Sequence, residues 1–240
     1  MQADYSDANV AHWCQQFNIE PSADSPWLIT WNDGLQLQHK QQQALWLQLS
    51  FTDGRIGHRT QQAKFQSEPV LKAMKLKPNN QAMVIDATAG LGRDGFLMAS
   101  TGATVIMYEE NPILAMFLTE GLARAAADAA DVTERITVHC ANAIKALPTL
   151  TADTIYLDPM YPSRKKSAAV KRDMQVLHTL LPPPGDADDL LESARQASVK
   201  RIVVKRPKTA PVIFTDGLVG QQKAGATRFD LYAPLYPIDR

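Results

Sequence analysis

From residue 67 onward, short apolar runs alternate with helical segments, and this alternation restricts the chain more than any other feature. "AMVIDATAG", "TVIMYEE", "ITVHCAN", "TIYLDP" and "RIVVKRP" read as five strands. Between them "GFLMAS" and "NPILAMFLTEGLARAAADAA" read as helices, the second with Asn111 as N-cap and Pro112 at its first position. Strands interleaved with helices predict a parallel sheet covered on both faces. The end, "GLVGQQKAGATRFDLYAP", predicts a hairpin that turns near Lys223–Thr227 and closes the sheet in the antiparallel sense.

Residues 1–66 follow another rhythm. "WLITW", "LQLQ" and "ALWLQLSF" alternate apolar and polar residues, which would put Leu45, Leu47, Leu49 and Phe51 on one strand face. Asn32, Asp33 and Gly34 mark a turn between the first two runs. The expectation is a small antiparallel β unit over 1–66, followed by a Rossmann-like domain over 67–240.

Twenty-five basic and 25 acidic side chains cancel, so no global field draws the chain to a polyanion, and any such attraction must come from local clusters. Cys14 and Cys140 lack CxxC spacing and the five histidines form no HExxH pattern, so neither a metal site nor a disulfide framework is expected. Cys140, at the end of a strand, reads as a small buried apolar residue. The polar start "MQADYSDANV" has no signal-peptide core and no run approaches a membrane span, which predicts a cytoplasmic protein.

Chemistry enters with "DATAGLGRDG". Gly90, Gly92 and Gly95 fit GxGxxG after a strand, and Glu109 and Glu110 close the next strand. That pattern leaves a nicotinamide-dependent dehydrogenase open. Charge argues otherwise: Asp86 and Asp94 flank the loop, and two carboxylates repel a diphosphate at short range. S-adenosylmethionine carries an ammonium and a sulfonium, so it reverses the requirement. In this reading the glycines admit the methionine end, Glu109 or Glu110 accepts from the ribose hydroxyls, and Asn142 with the Ala143 backbone reads the adenine edge. Arg93 is read equally as a cofactor or RNA contact or as a brace for Asp86 or Asp94.

The second motif is "YLDPMYPSRKK". Asp158 ends the fourth strand at the carboxyl edge, and Pro159 and Pro162 stiffen the loop that follows. Asp158 and the Pro159 carbonyl are placed to accept hydrogen bonds from an exocyclic amine, and Tyr161 to stack on the base that carries it. Arg164, Lys165, Lys166, Lys171 and Arg172 follow as candidate RNA-phosphate contacts. Lys200, Arg201, Lys205, Arg206 and Lys208 form a second basic group around the fifth strand, expected at the same mouth.

"DATAGLGRDGF", "YLDPMYPSRKKSAAVKRDM", "VVKRP" and "RFDLY" together resemble the bacterial RsmJ-type 16S ribosomal RNA guanine-N2 methyltransferases over roughly residues 45–235. The resemblance implies a class I S-adenosylmethionine-dependent fold, a mostly parallel seven-stranded sheet with a C-terminal antiparallel hairpin. It implies methylation of a guanine N2 in the small-subunit RNA; a monomer with no metal and no membrane partner is expected. Carried over by motif, Arg93, Asp94, Glu109, Glu110, Asn142, Ala143 and Asp158 would line the cofactor pocket. Met160 stands where related amine-methylating loops have a second proline, and Glu110 where a basic residue is expected. The same loop serves any planar amine, so adenine N6 or a transfer RNA stays open as substrate. A non-catalytic RNA-binding module is the reading from another class.

Overall fold

The computed structural model describes residues 2–53, 68–79, 81–160, 172–181 and 187–238. Its main sheet contains five parallel strands: β6 (Met83–Asp86), β7 (Thr104–Glu109), β8 (Ile136–Cys140), β9 (Thr151–Leu157) and β10 (Ser198–Pro207). The hairpin β11 (Leu218–Ala224) and β12 (Thr227–Tyr232) adds two antiparallel strands, turning at Gly225 and Ala226. The order across the sheet is β8-β7-β6-β9-β10-β12-β11, and the short β13 (Tyr236–Pro237) pairs with the start of β10. The chain therefore winds one way from β6 and the other way from β9. Open α/β sheets take ligands at the carboxyl ends of strands where such a reversal occurs. Here that crevice lies between Asp86 and Asp158.

Strands buried on both faces read as unbroken apolar runs, and Ile202, Val203 and Val204 of β10 are all fully buried. On one face Val84, Met107, Tyr156, Val203 and Phe229 pack against α2 (Pro69–Met74), α3 (Arg93–Ala99) and α4 (Pro112–Thr133). On the other, Ile85, Ile155, Leu157, Ile202 and Val204 pack against α5 (Ala143–Ala146) and α7 (Ala187–Gln196). Asn111 caps α4 as expected, accepting from the Ile113 and Leu114 N–H groups. No described helix is long and apolar enough to cross a membrane.

The amino-terminal part contains β1 (Gln2–Ala3), α1 (Ala8–Gln16), β2 (Glu20–Pro21), β3 (Trp27–Trp31), β4 (Leu35–His39) and β5 (Trp46–Leu47). β3, β4 and β5 form the expected antiparallel sheet, while β1 and β2 add a parallel pair that the alternation does not reveal. The β3–β4 turn uses positive φ at Asp33 (50°) and Gly34 (142°). Leu45, Leu47, Leu49 and Phe51 are all buried, although only Trp46–Leu47 forms strand ladder. Ile29, Leu35, Leu37 and Leu47 share a core with Ile113, Leu114 and Phe117, so α4 closes the small sheet. Phe51 continues into the main core, its ring stacked on Phe96 at 4.9 Å. The expected boundary at residue 66 lies outside the described residues.

Candidate active site

The glycine loop leaves β6 at Asp86, which is buried and accepts a hydrogen bond from the Thr88 N–H at 3.2 Å. Gly90 and Gly92 have φ of 52° and 70°, conformations that side chains disfavour. A Cβ on Gly92 would come within 2.4 Å of Leu118, whereas one on Gly90 would meet only the Thr88 carbonyl at 3.9 Å. Gly92 is thus required by packing, and Gly90 presents bare backbone to open space. Glu109, at the end of β7, braces this loop: its two oxygens accept from the Gly90 and Asn111 N–H groups, both at 2.9 Å. Burial pushes the Glu109 carboxyl above the ordinary range, and those backbone N–H groups oppose the shift. Its neighbour Glu110 is exposed and accepts from Asn142 Nδ2 at 2.6 Å. Asn142 also caps α5 through the Ile144 N–H, with Ala143 buried beside it. Asp86, Gly90, Glu109, Glu110, Asn142 and Ala143 therefore line one continuous carboxyl edge.

Beyond Asp86 lies a cluster that neither motif shows by itself. Lys205 Nζ, on β10, donates to Asp94 at 2.9 Å and to Asp158 at 2.7 Å. The buried Tyr156 hydroxyl donates to the same Asp94 oxygen at 2.8 Å. The Asp158 N–H donates to Thr88 Oγ1 at 2.7 Å, tying the second loop to the first. Two carboxylates thus share one ammonium, with the buried Asp86 carboxyl nearby. Burial, reinforced by Asp94 and Asp158, pushes the Asp86 carboxyl up to about 7. Asp158 is also raised, by burial first, with Lys205 opposing. Burial alone would lower the Lys205 ammonium, but Asp94 and Asp158 outweigh it and hold it well above the lysine range. Tyr156 is held protonated by burial and by the same acids. The crevice carries excess negative charge and calls for a cationic ligand.

Several expectations change. Arg93 braces neither Asp86 nor Asp94 and instead pairs with Asp173 of α6 (Arg172–Leu180). Arg172 lies over the Trp46 ring, 3.4 Å from its centroid, so α6 is fastened to the amino-terminal sheet. The second basic group does not gather at the mouth. Lys200 pairs with Asp153 at 2.7 Å at the far, amino end of β10, Lys205 turns into the crevice, and Arg206 is buried with a bond to the Pro211 carbonyl. A strand rises about 3.3 Å per residue and sends alternate side chains to opposite faces, so cations adjacent in sequence are separated. Cys140 is exposed and not buried, because β8 is an edge strand; Cys14 is the buried cysteine. Tyr161, Arg164, Lys165, Lys166 and Lys171 lie outside the described residues. Pro159 follows Asp158 half-buried, and Met160 packs against the amino-terminal core.

Comparison with known proteins decides the family. A profile described as "Putative SAM-dependent methyltransferase" matches residues 12–234. Ribosomal RNA small subunit methyltransferase J of Edwardsiella ictaluri is 44% identical over 192 residues, 78% of this chain and 77% of that protein. The protein of the same name from Salmonella paratyphi C is 38% identical over 236 residues, 95% of this chain and 93% of that one. The chain belongs to the ribosomal RNA small subunit methyltransferase J family. A crystal structure titled as a SAM-dependent methyltransferase from Neisseria gonorrhoeae aligns with a TM-score of 0.76 at 30% identity, covering 98% of this chain and 96% of that one.

S-adenosylmethionine is the cofactor of this methyltransferase family, and the residues present fit it. The space beside Gly90 and the acid-rich crevice suit a ligand that approaches backbone closely and carries positive charge. Among family motifs, "RFDLY" proves structural: buried Arg228 pairs with Asp230 at 2.6 Å and donates to the Ala210 carbonyl. Reading by motif missed Lys205, Tyr156 and Thr88 as members of the site. A lysine directly after two valines of a buried strand was the available signal, since such a charge needs a partner.

Proposed function

We propose that the chain methylates the exocyclic N2 amine of a guanine in the 16S ribosomal RNA of the small subunit. The observation that carries this reading is the Asp158 N–H to Thr88 Oγ1 bond, which holds the acid–proline loop against the glycine loop. An amine hydrogen-bonded to Asp158 then lies beside the cofactor crevice. The names of the curated relatives support ribosomal RNA of the small subunit as the substrate class.

Bound S-adenosylmethionine supplies an electrophilic methyl group on a sulfonium. Asp86, Asp94 and Asp158 offset its positive charge, Gly90 gives it close backbone approach, and Glu109, Glu110, Asn142 and Ala143 hold its nucleoside end. Arg93 supports the pocket through Asp173. A guanine N2 lone pair is delocalised into the ring, which makes it a poor nucleophile. The Asp158 carboxylate and the Pro159 carbonyl accept its N–H groups and favour a more tetrahedral nitrogen, and Tyr161 stacks on the base. The remaining contribution is alignment. No strong base is needed beforehand, because the proton becomes acidic once the C–N bond has formed, and it leaves to Asp158 or to water. Arg164, Lys165, Lys166 and Lys171 hold phosphates, Arg172 being engaged on the Trp46 ring, and the target guanine is unpaired or flipped out.

The test is methyl transfer from labelled S-adenosylmethionine to small-subunit ribosomal RNA taken from cells lacking the protein, followed by nucleoside digestion. Label in N2-methylguanosine is the expected result. Label in N6-methyladenosine would replace the target base, and absence of label from both naked RNA and subunits would overturn the activity.

A further inference from the structure

A cavity of about 160 Å³ adjoins the charge cluster, lined by Pro69 and Val70 of α2, Thr227 and Phe229 of β12, Asp94 and Lys205. Neither Asp86 nor the glycines of the loop line it. Its apolar walls come from α2 and the hairpin, elements that the cofactor reading leaves unused. Phe229 is the direct cross-strand partner of Lys205, so both side chains leave the same face of the sheet and enter the cavity together. Its polar wall is an ion pair that sets a donor beside an acceptor, Lys205 Nζ against Asp94 Oδ2 at 2.9 Å. The same ammonium lies 2.7 Å from Asp158. A group held on the Lys205–Asp94 pair is thus one side chain away from the carboxylate assigned to the methyl-accepting amine.

These features select the ligand. A small space with an aromatic ring and a proline in its walls suits one planar heterocycle, and an adjoining donor and acceptor match the edge of a nucleobase, where an amine or N–H adjoins a ring nitrogen or carbonyl. We propose that this cavity is the seat of the acceptor base. A purine swung out of the RNA enters between Pro69 and Thr227, over the edge of the largely buried Phe229, and its polar edge meets Lys205 and Asp94. The assignment rests on the guanine reading above and adds to it a location and two residues, Lys205 and Phe229.

Thr227 is half-buried at the rim, directly after the hairpin turn, and can be enlarged without entering the main core. Thr227→Trp, which fills the cavity, and Thr227→Ala, which does not, are compared with wild type for methyl transfer to RNA, S-adenosylmethionine affinity by calorimetry and melting temperature. The expected result is a loss of about tenfold or more in kcat/KM for RNA in Thr227→Trp, the scale of one base-stacking contact, with cofactor affinity unchanged and Thr227→Ala like wild type. Should Thr227→Trp fail to fold, Phe229→Leu is the second variant, with the same split between RNA and cofactor expected. Unchanged transfer in a folded cavity-filling variant overturns the proposal. A parallel fall in cofactor affinity also overturns it and gives the cavity to S-adenosylmethionine. Failure of the guanine reading is seen separately, in the wild-type reaction, as label in another nucleoside; the variants are then scored on that substrate.

Discussion

The carboxyl ends of β7 and β9 each carry an acid after an apolar strand, yet Glu109 and Asp158 are satisfied in opposite ways. Glu109 accepts two backbone N–H groups, from Gly90 and Asn111, so it cannot change partners without the glycine loop moving. Asp158 is held by the Lys205 side chain, a partner that rotates on a flexible stem and also serves Asp94. Backbone partners make an acid part of the scaffold, whereas a side-chain partner can be exchanged for a ligand. The difference separates the residue that braces the glycine loop from the residue proposed to meet the substrate.

The sharpest way to break this comparison is to remove each acid. Asp158→Ala is expected to lower methyl transfer by about a hundredfold or more, the scale seen when one oriented electrostatic group is lost from a reaction centre. Its melting temperature should hold close to wild type, since Lys205 keeps Asp94. Glu109→Gln should do the reverse in a melting experiment. One of its two N–H partners would face an amide NH2, and an unsatisfied buried donor costs roughly 1–3 kcal/mol. Equal losses of stability in the two variants would erase the distinction.

A further expected effect concerns pH. Burial raises the folded Asp86 carboxyl to about 7, above its value in the unfolded chain. Between those two values the folded state holds the proton that the unfolded state has released. Ligand-free stability should therefore fall as pH rises through this window and level off above about 7. Asp86→Asn should flatten that slope, measured as the difference between wild-type and variant melting curves at acidic and neutral pH. S-adenosylmethionine should bind wild type more tightly as pH rises through the same range, because the carboxylate is the form a cation favours. A slope unchanged by Asp86→Asn would assign the titration to Asp158.

Much of this is legible in the sequence. The Asn111 cap, the Asp33–Gly34 turn, the Gly225–Ala226 hairpin and the glycine loop all emerge where the residues place them. Each depends on interactions within a few residues, so local chemistry suffices. The basic residues of "VKRIVVKRPK" were not legible in this way. Lys200 and Lys205 look alike in sequence, and only the register that pairs Val204 with Leu157 brings Lys205 beside Asp158 while leaving Lys200 at the opposite end with Asp153. Cys140 departs from its expected burial for a related reason. Burial at the end of a strand depends on whether the strand is central or at the edge, and the strand order decides that.

By itself the sequence determined the kinds of element, the glycine loop after β6 and the acid that follows β9, since periodicity, caps and glycine conformations act over short separations. Only the tertiary structure decided which charges meet. Lys205 stands 111 residues from Asp94 and 47 from Asp158, and no local preference operates over such distances. Burying an ammonium is costly unless carboxylates surround it, so the folded sheet, by bringing three strand ends together, selected the partners that the sequence left open.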